Sequence, residues 1–451
     1  MDATTPLSEG QNVSTQLPLN LFNASVPLMF KVIPVSSHLS KIVIEINSDI
    51  VNSVYKSTVP LFCTNVLEGF EYEHVPQEFI EETYKNDIIN KAHDYIFKHL
   101  IYDNLFYYLL NQKICFVNYP RFSHIDKSEN GGLAFSFDLS LTDILELKEW
   151  RNFAFRTPKR KRYKDLDKQV KQFIDEETSL SKKQNMEQIE DGDWVCFSAK
   201  LVTENHEATF PCFTNLFWVK VKTGAVPNTF SQLFCDKRVG NSFFTNEPIF
   251  DDSSQDYGDK WYNFLISIEF MIKGRHLSLD TLRATFKLKN KTEIHAKLIE
   301  VFSYRNDLSQ RRMIIEEVFN LLLSKHRFEI PQHFVLRRQE DILLGLEEQP
   351  DYHVYKTQKD FLSCVGLLAE KQLKEEIIID QISYKENITL DIKDLQNYLH
   401  FFNNKRIKEF IYFRPLIGKT DNFLTPVNAS VIYQAALREK TLNHVIFQLV
   451  Q

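Results

Sequence analysis

Gly69-Phe70-Glu71-Tyr72-Glu73-His74-Val75-Pro76 separates two segments of helical periodicity, and the reading of the chain turns on it. Upstream, Asn47, Ser48 and Asp49 offer N-cap oxygens, and Ile50, Val54, Leu61, Phe62, Val66 and Leu67 recur at roughly helical spacing. Gly69 stops that helix, because Gly takes the left-handed C′ position without a Cβ penalty. Pro76 opens the next, since its missing N–H is one that a first helical turn leaves unused. Apolar Phe79, Ile80, Ile88, Ile89, Ala92, Ile96 and Leu100 carry the second arm towards Ile101. Phe70 to His74 are therefore expected as an exposed loop at the tip of a helix-loop-helix.

The chain around this loop is long enough for two to four domains, with 451 residues. At 43% hydrophobic residues it can bury a sizeable core and is not wholly disordered. A net charge of −6 does not suit a protein that coats nucleic acid. Only 12 glycines and no Walker or dinucleotide fingerprint argue against a phosphate-cradling loop. The six cysteines form no C-x-x-C pair and no Cys/His set with zinc spacing, so buried thiols in a reducing compartment are expected, without metal or cofactor. The N-terminus lacks a signal-peptide pattern, and no apolar run reaches the roughly 18 residues of a membrane span. A soluble cytoplasmic protein without membrane contact is the expectation.

Residues 1–29, rich in Ser, Thr, Asn and Pro, read as a flexible extension. Leu39 to Ile46 and Leu133 to Leu141 alternate as strands, with a turn at Asn130-Gly131-Gly132, and Asn104 to Asn111 reads as a helix. Together they predict a compact α+β domain over 30–150. The basic run Lys159-Arg160-Lys161-Arg162-Tyr163-Lys164 could contact phosphate, but it reads more simply as the solvated face of a linker, 151–188, holding a helix from about 165 to 176. From Asp191-Gly192-Asp193 the texture turns to β. Trp194–Leu201, Leu216–Val221, Val239–Phe243 and Phe264–Ile272 are short strands, with a short helix over Asn228–Leu233, predicting a small curled antiparallel sheet over 189–275. From 276 to 451 the periodicity is helical: Leu279–Phe286, one long amphipathic stretch over Thr292–Lys325, a helix opened by Pro331, then Leu367–Tyr384, a segment through Leu395 and Leu399, and Ser430–Val450.

Gly-Phe, four residues, then Val-Pro resembles the ribosome-docking signature of trigger factor, the bacterial nascent-chain chaperone family. That family has basic residues after the Phe, where this chain has Glu71, Tyr72, Glu73 and His74. The order Gly192-Asp193…Val226-Pro227…Phe230…Lys237-x-x-Gly240…Tyr257…Lys260-x-x-x-Phe264 resembles the FKBP-like prolyl isomerase domain embedded in the same family. By that resemblance Val226, Phe230, Tyr257 and Phe264, with Phe210, would wall a pocket for the proline of an X-Pro bond. Such a pocket lowers an amide-rotation barrier of ~18–20 kcal/mol by desolvation, without a nucleophile. The Gly and the acid expected after the Pro are replaced by Asn228-Thr229 and Ser231, which predicts weak isomerase activity. Ile330-Pro331 and Lys385-Glu386-Asn387-Ile388-Thr389 are similar to turns of the family's C-terminal domain.

The resemblance covers about 30–451. It implies an α+β docking domain, a small FKBP-like antiparallel β domain at the far end, and a helical C-terminal domain that holds nascent or unfolded polypeptide without ATP. Gly69 to Pro76 would dock to the large ribosomal subunit, through Phe70 and Tyr72 more than through charge. A holdase detached from the ribosome and a dedicated prolyl isomerase are the alternatives. A nucleic-acid binder would rest on Lys159 to Lys164 alone.

Overall fold

Asn47 caps the first helix: its Oδ1 accepts from the Asp49 N–H at 3.3 Å, and α1 (Ser48–Thr58) buries Ile50 and Val54. The computed structural model describes residues 28–62, 75–128, 131–142, 144–159, 165–181, 187–202, 215–221, 229–247, 262–274, 278–347, 349–403, 405–415 and 425–450. The expected continuation of α1 is cut short. The helix ends at Thr58 and tightens into a 3-10 turn, Val59–Phe62, because Pro60 has no N–H for the carbonyl of Lys56. The second arm is broken into α2 (Gln77–Thr83) and α3 (Lys85–Tyr95), with a π-helical turn, Ile96–Ile101, leading into α4 (Tyr102–Asn111). In an α-helix Ile96 and Ile101 would point in different directions. The wider i→i+5 turn brings both onto the buried face beside Leu100.

These helices pack on a four-stranded antiparallel sheet of β1 (Leu28–Ser36), β2 (Leu39–Ile46), β3 (Arg121–Lys127) and β4 (Leu133–Ser140), in the order β1-β2-β4-β3. Ile42, Ile44 and Ile46 pair with Phe137, Phe135 and Leu133, and all six side chains are buried. The turn into β4 needs glycine: a Cβ on Gly132 would lie 1.9 Å from the carbonyl oxygen of Ile46. Strand β1 begins inside the stretch read as an extension, and β3 had no sequence signal. Both are edge strands that stay largely exposed, so burial imposes no alternation on them.

A second sheet holds β5 (Trp194–Leu201), β6 (Asn215–Lys220), β7 (Ser242–Thr245), β8 (Phe264–Ile272) and the two-residue strand Val427–Asn428, which pairs with β6. Helix α6 (Thr229–Phe234) lies on it. Both faces of this sheet are buried. Val195, Phe197 and Val219 share one apolar cluster with Ile42, Ile44 and Phe106 of the N-terminal part. Trp194, Cys196 and Trp218 share another with Leu298, Tyr398 and Ile432 of the C-terminal helices. The β region is thus a middle layer. It is not at the far end of the molecule as the resemblance implied, and it draws a strand from beyond 189–275. A sheet with two apolar faces leaves large surface in water unless both are covered. Thr58 Oγ1 and Tyr262 Oη, 2.9 Å apart, close one seam. Asp103 and Ser430 close another, with the Asp103 carboxyl pushed up to about 7 by burial and partly drawn back by hydrogen bonds from Ser430 and Asn428.

The C-terminal helices are α7 (Leu279–Phe286), α8 (Lys291–Phe302), α9 (Gln310–Lys325), α10 (Gln332–Glu347), α11 (Tyr352–Tyr355), α12 (Phe361–Lys385), α13 (Ile392–Asn403) and α14 (Ala429–Val450). Asn290 caps α8 through a 2.9 Å bond from the Glu293 N–H, and Glu293 reaches back to the Lys289 N–H at 2.7 Å. The expected single helix over Thr292–Lys325 is two helices. A tight hairpin, Tyr304–Ser309, divides them, with Asn306 and Asp307 at φ 50° and 62°, the left-handed pair of a two-residue turn. Helix α5 (Leu166–Ser181) packs on α8, where Phe173 meets Phe302 at 5.5 Å. No helix among the described residues is long and apolar enough to cross a membrane.

One buried ionic network joins these parts. Arg338 of α10 grips Glu376 of α12 with two bonds of 2.6 and 2.9 Å. Arg438 of α14 lies 3.0 Å from Glu376 and grips Asp380 with bonds of 2.9 and 2.7 Å. Arg338 Nε also donates to Asn118 Oδ1 at 3.1 Å, reaching the N-terminal part. Burial alone would raise the Glu376 carboxyl, but the two guanidiniums outweigh it and hold it down at about 2. Arg438→Ala leaves Glu376 short of a partner and Asp380 without its cation, so a loss of about 3–5 kcal/mol is expected in chemical denaturation. A loss below about 1 kcal/mol would show that solvent reaches the network.

Candidate functional site

Pro331 sets the start of α10, its carbonyl accepting from the Phe334 N–H at 2.9 Å. Phe334, Arg338 and Ile342 follow at i+4 spacing. On α12, Val365, Ala369, Leu373 and Ile377 repeat the same spacing, so two ridges of this type meet along an antiparallel pair. The root of the pair is held by the ionic network and by Arg337, whose guanidinium donates to the Tyr119 carbonyl at 3.0 Å. The sequence between 142 and 156 laces the same root: Leu145 N–H donates to Gln381 at 2.6 Å, Lys385 donates to the Leu147 carbonyl at 2.8 Å, and Trp150 Nε1 donates to Glu386 at 3.0 Å.

Along the hairpin towards its tip the packing stripe is exhausted while apolar residues continue. Leu344 is 53% exposed, Val354 63%, Leu362 60% and Leu367 66%, and Tyr355 and Leu368 are exposed as well. Leu367 and Leu368 lie off the Val365–Ala369–Leu373 stripe, so α12 is apolar on more than one side, while Leu362 continues the stripe into the first turn of α12 and stays uncovered there. Scattered exposed leucines are ordinary, but a contiguous concentration of them is the pattern of a binding surface. The sequence signalled amphipathic helices here without showing which apolar side chains stay uncovered. The signal that could have found them is this surplus of leucines off the i, i+4 stripe.

Of the expected docking loop, Gly69, Phe70, Glu71, Tyr72, Glu73 and His74 lie outside the described residues. Val75 packs half-buried against the N-terminal core, and Pro76 is the residue just before α2, its carbonyl accepting from Phe79 and Ile80 N–H groups.

Of the expected prolyl-pocket residues, Val226, Tyr257 and Phe210 lie outside the described residues. Phe230 and Phe264 are 5% and 4% exposed. The Phe230 ring packs 6.3 Å from Phe197 and 6.1 Å from Phe234. The Phe264 ring meets different partners: Tyr262 at 6.3 Å, Tyr95 at 6.4 Å and His99 at 6.1 Å, the last two from α3 and the π-helical turn. His99 is so buried that its pKa falls to about 3, with Lys98 adding to the effect, so it faces these rings as neutral imidazole. The N-terminal helices thus fill the face of β8 that carries Phe264, and both aromatics serve the core.

No protein family model matches the chain. No curated protein matches it either. Among solved structures, one from work on promiscuous substrate recognition in folding and assembly activities of the trigger factor chaperone aligns with 93% of this chain and 99% of its own length, at 13% identity and a TM-score of 0.37. That is a distant structural similarity, and it carries no weight for function.

Phe264→Ala is expected to destabilise the fold by about 3–5 kcal/mol, as a core cavity does. The intact protein is expected not to accelerate proline-limited refolding. Strong catalysis in wild type that disappears in the milder Phe264→Leu, with the fold retained, would instead make Phe264 part of a working pocket.

Proposed function

We propose that this chain is an ATP-independent chaperone-like protein that holds unfolded or nascent polypeptide on the outer half of the α10–α12 hairpin. The observation that carries the proposal is the cluster of exposed leucines around Leu344, Leu362 and Leu367 on an element anchored rigidly at its root. Unfolded chains expose apolar side chains without a fixed shape, and exposed leucines on a helical surface can bury them without requiring one sequence. The sequence has no nucleotide fingerprint, so capture and release follow from binding equilibria alone.

Leu344→Ser, Leu362→Ser and Leu367→Ser combined remove the apolar surface at positions that touch little else, and stability should change by only about 0.5 kcal/mol per site. Wild type is expected to delay aggregation of a chemically denatured client, and the triple variant to lose most of that effect at unchanged thermal midpoint. Equal protection by both proteins would remove the hairpin from the function.

Docking at the large ribosomal subunit belongs to the same proposal and rests on the Gly69-Phe70…Val75-Pro76 frame of the sequence. Glu71 and Glu73 would be repelled by ribosomal RNA within a Debye length of ~8 Å, which leaves Phe70 and Tyr72 as anchors against a protein surface. Co-sedimentation with ribosomes is expected and should be lost in Phe70→Ala, Tyr72→Ala. If wild type never co-sediments, the protein acts as a holdase away from the ribosome.

A further inference from the structure

The N-terminal sheet has two edges, and they are finished differently. At one edge, β3 carries Arg121, His124, Asp126 and Lys127 and is bulged at Ser123. His124 lies 3.0 Å from Asp126, and both side chains reach into water. Charge and a bulge are the usual guards against the addition of a further strand. At the other edge, β1 has one charge, Lys31, and it is paired with Glu45 of β2. Its other side chains include exposed apolar ones: Met29 at 52%, Val32 at 37%, Ile33 at 48% and Val35 at 61%.

An antiparallel ladder uses the N–H and C=O groups on one side of a strand. Among the described residues β1 has β2 on one side and no strand on the other. Alternate backbone groups along it therefore face outward, which is a template for another strand. Pro34 has no N–H, and the register slips between Pro34 and Ser36, so an added strand is confined to Leu28–Ile33.

What fits the open side follows from what fits the closed one, because a strand shows the same two rows of side chains to both neighbours. β2 sets Ile46, Ile44 and Ile42 against Leu28, Phe30 and Val32. This row faces the helices: the Phe30 ring stacks on Tyr108 of α4 at 4.3 Å. Leu28 and Phe30 are only partly buried, so a second apolar row laid along the open side would cover more of them. The other row, Met29, Lys31 and Ile33, meets Glu45, Val43 and Lys41.

We propose that the open side of β1 binds an extended segment of another polypeptide, apolar at alternate positions, which adds to the sheet as a fifth strand along Leu28–Ile33. Recognition runs through the backbone, so any flexible segment with that alternation qualifies. The site is independent of the holdase reading. It uses no residue of the α10–α12 hairpin and requires an extended backbone rather than apolar side chains alone.

The test is fluorescence anisotropy of the full chain with a labelled peptide that repeats the β2 sequence Leu39–Ile46 between serine tails, and with the same peptide N-methylated on its four central residues. Methylation keeps the side chains and removes N–H donors. The plain peptide is expected to bind at least about tenfold tighter, the difference that two backbone hydrogen bonds account for. Met29→Lys combined with Ile33→Glu charges the exposed row and opposes each new charge to Glu45 or Lys41, so the thermal midpoint should hold while peptide binding falls at least about tenfold. The Leu344→Ser, Leu362→Ser, Leu367→Ser variant should bind the peptide as wild type does. Loss of binding in that variant would place the peptide on the hairpin and overturn this proposal while leaving the holdase reading intact; peptide binding without protection of a denatured client would do the reverse. A full chain that sediments as a dimer and dissociates in Met29→Lys, Ile33→Glu assigns the edge to a second copy. Amides of β1 that already exchange slowly in the free monomer, unchanged by peptide, assign it to another stretch of the same chain. Either result overturns the proposal, as does equal binding of the plain and N-methylated peptides or no binding at submillimolar concentration.

Discussion

Two arginines and two carboxylates buried where three parts of the chain meet impose the constraint that the rest of the molecule obeys. Taking such charges out of water costs several kcal/mol each, and the cost is recovered only if every ion is gripped in good geometry. Arg338, Glu376, Arg438 and Asp380 meet that condition through bidentate contacts, and Asn118 extends the set to the N-terminal part. Apolar residues could hold the same helices together. What the charges add is register: α10, α12 and α14 can slide past one another only by stranding a buried ion. The hairpin therefore leaves the body of the protein at a defined root.

The middle sheet obeys a second constraint. Its strands alternate, but both sets of side chains are apolar: Val195 and Phe197 on one face, Trp194 and Cys196 on the other. Such a sheet must be covered twice, and the α3–π-turn–α4 run and the C-terminal helices each supply a cover. Rings that would wall an open prolyl pocket in a free-standing β domain are filled here by Tyr95, His99 and Phe234. The same aromatic composition that makes a pocket in one tertiary setting makes a core in another.

The outer half of the α10–α12 hairpin departs from the rule that the core obeys. Leu344, Leu362 and Leu367 are more than half exposed there, while Phe334, Ala369 and Leu373 of the same hairpin are buried.

Local signals were legible wherever a residue's preference needs no distant partner. Asn47 and Asn290 cap helices, Gly132 sits where a Cβ would strike Ile46, and β2, β5 and β8 follow the alternation of their own side chains. The edge strands β1 and β3 escaped, because only Leu28, Phe30 and Ile125 pack partly on the core and most of their other side chains stay exposed, which leaves too short a period. The Asn306-Asp307 turn inside an otherwise helical stretch escaped because the flanking residues keep their apolar spacing across it. Tertiary structure alone decided what alternation cannot encode: that Phe264 meets Tyr95 and His99, that the sheet recruits Val427–Asn428, and which leucines of α12 stay exposed. The physical reason is that burial is a property of pairs. A sequence shows that a side chain seeks apolar company, and only the packed chain shows whether its own fold provides it.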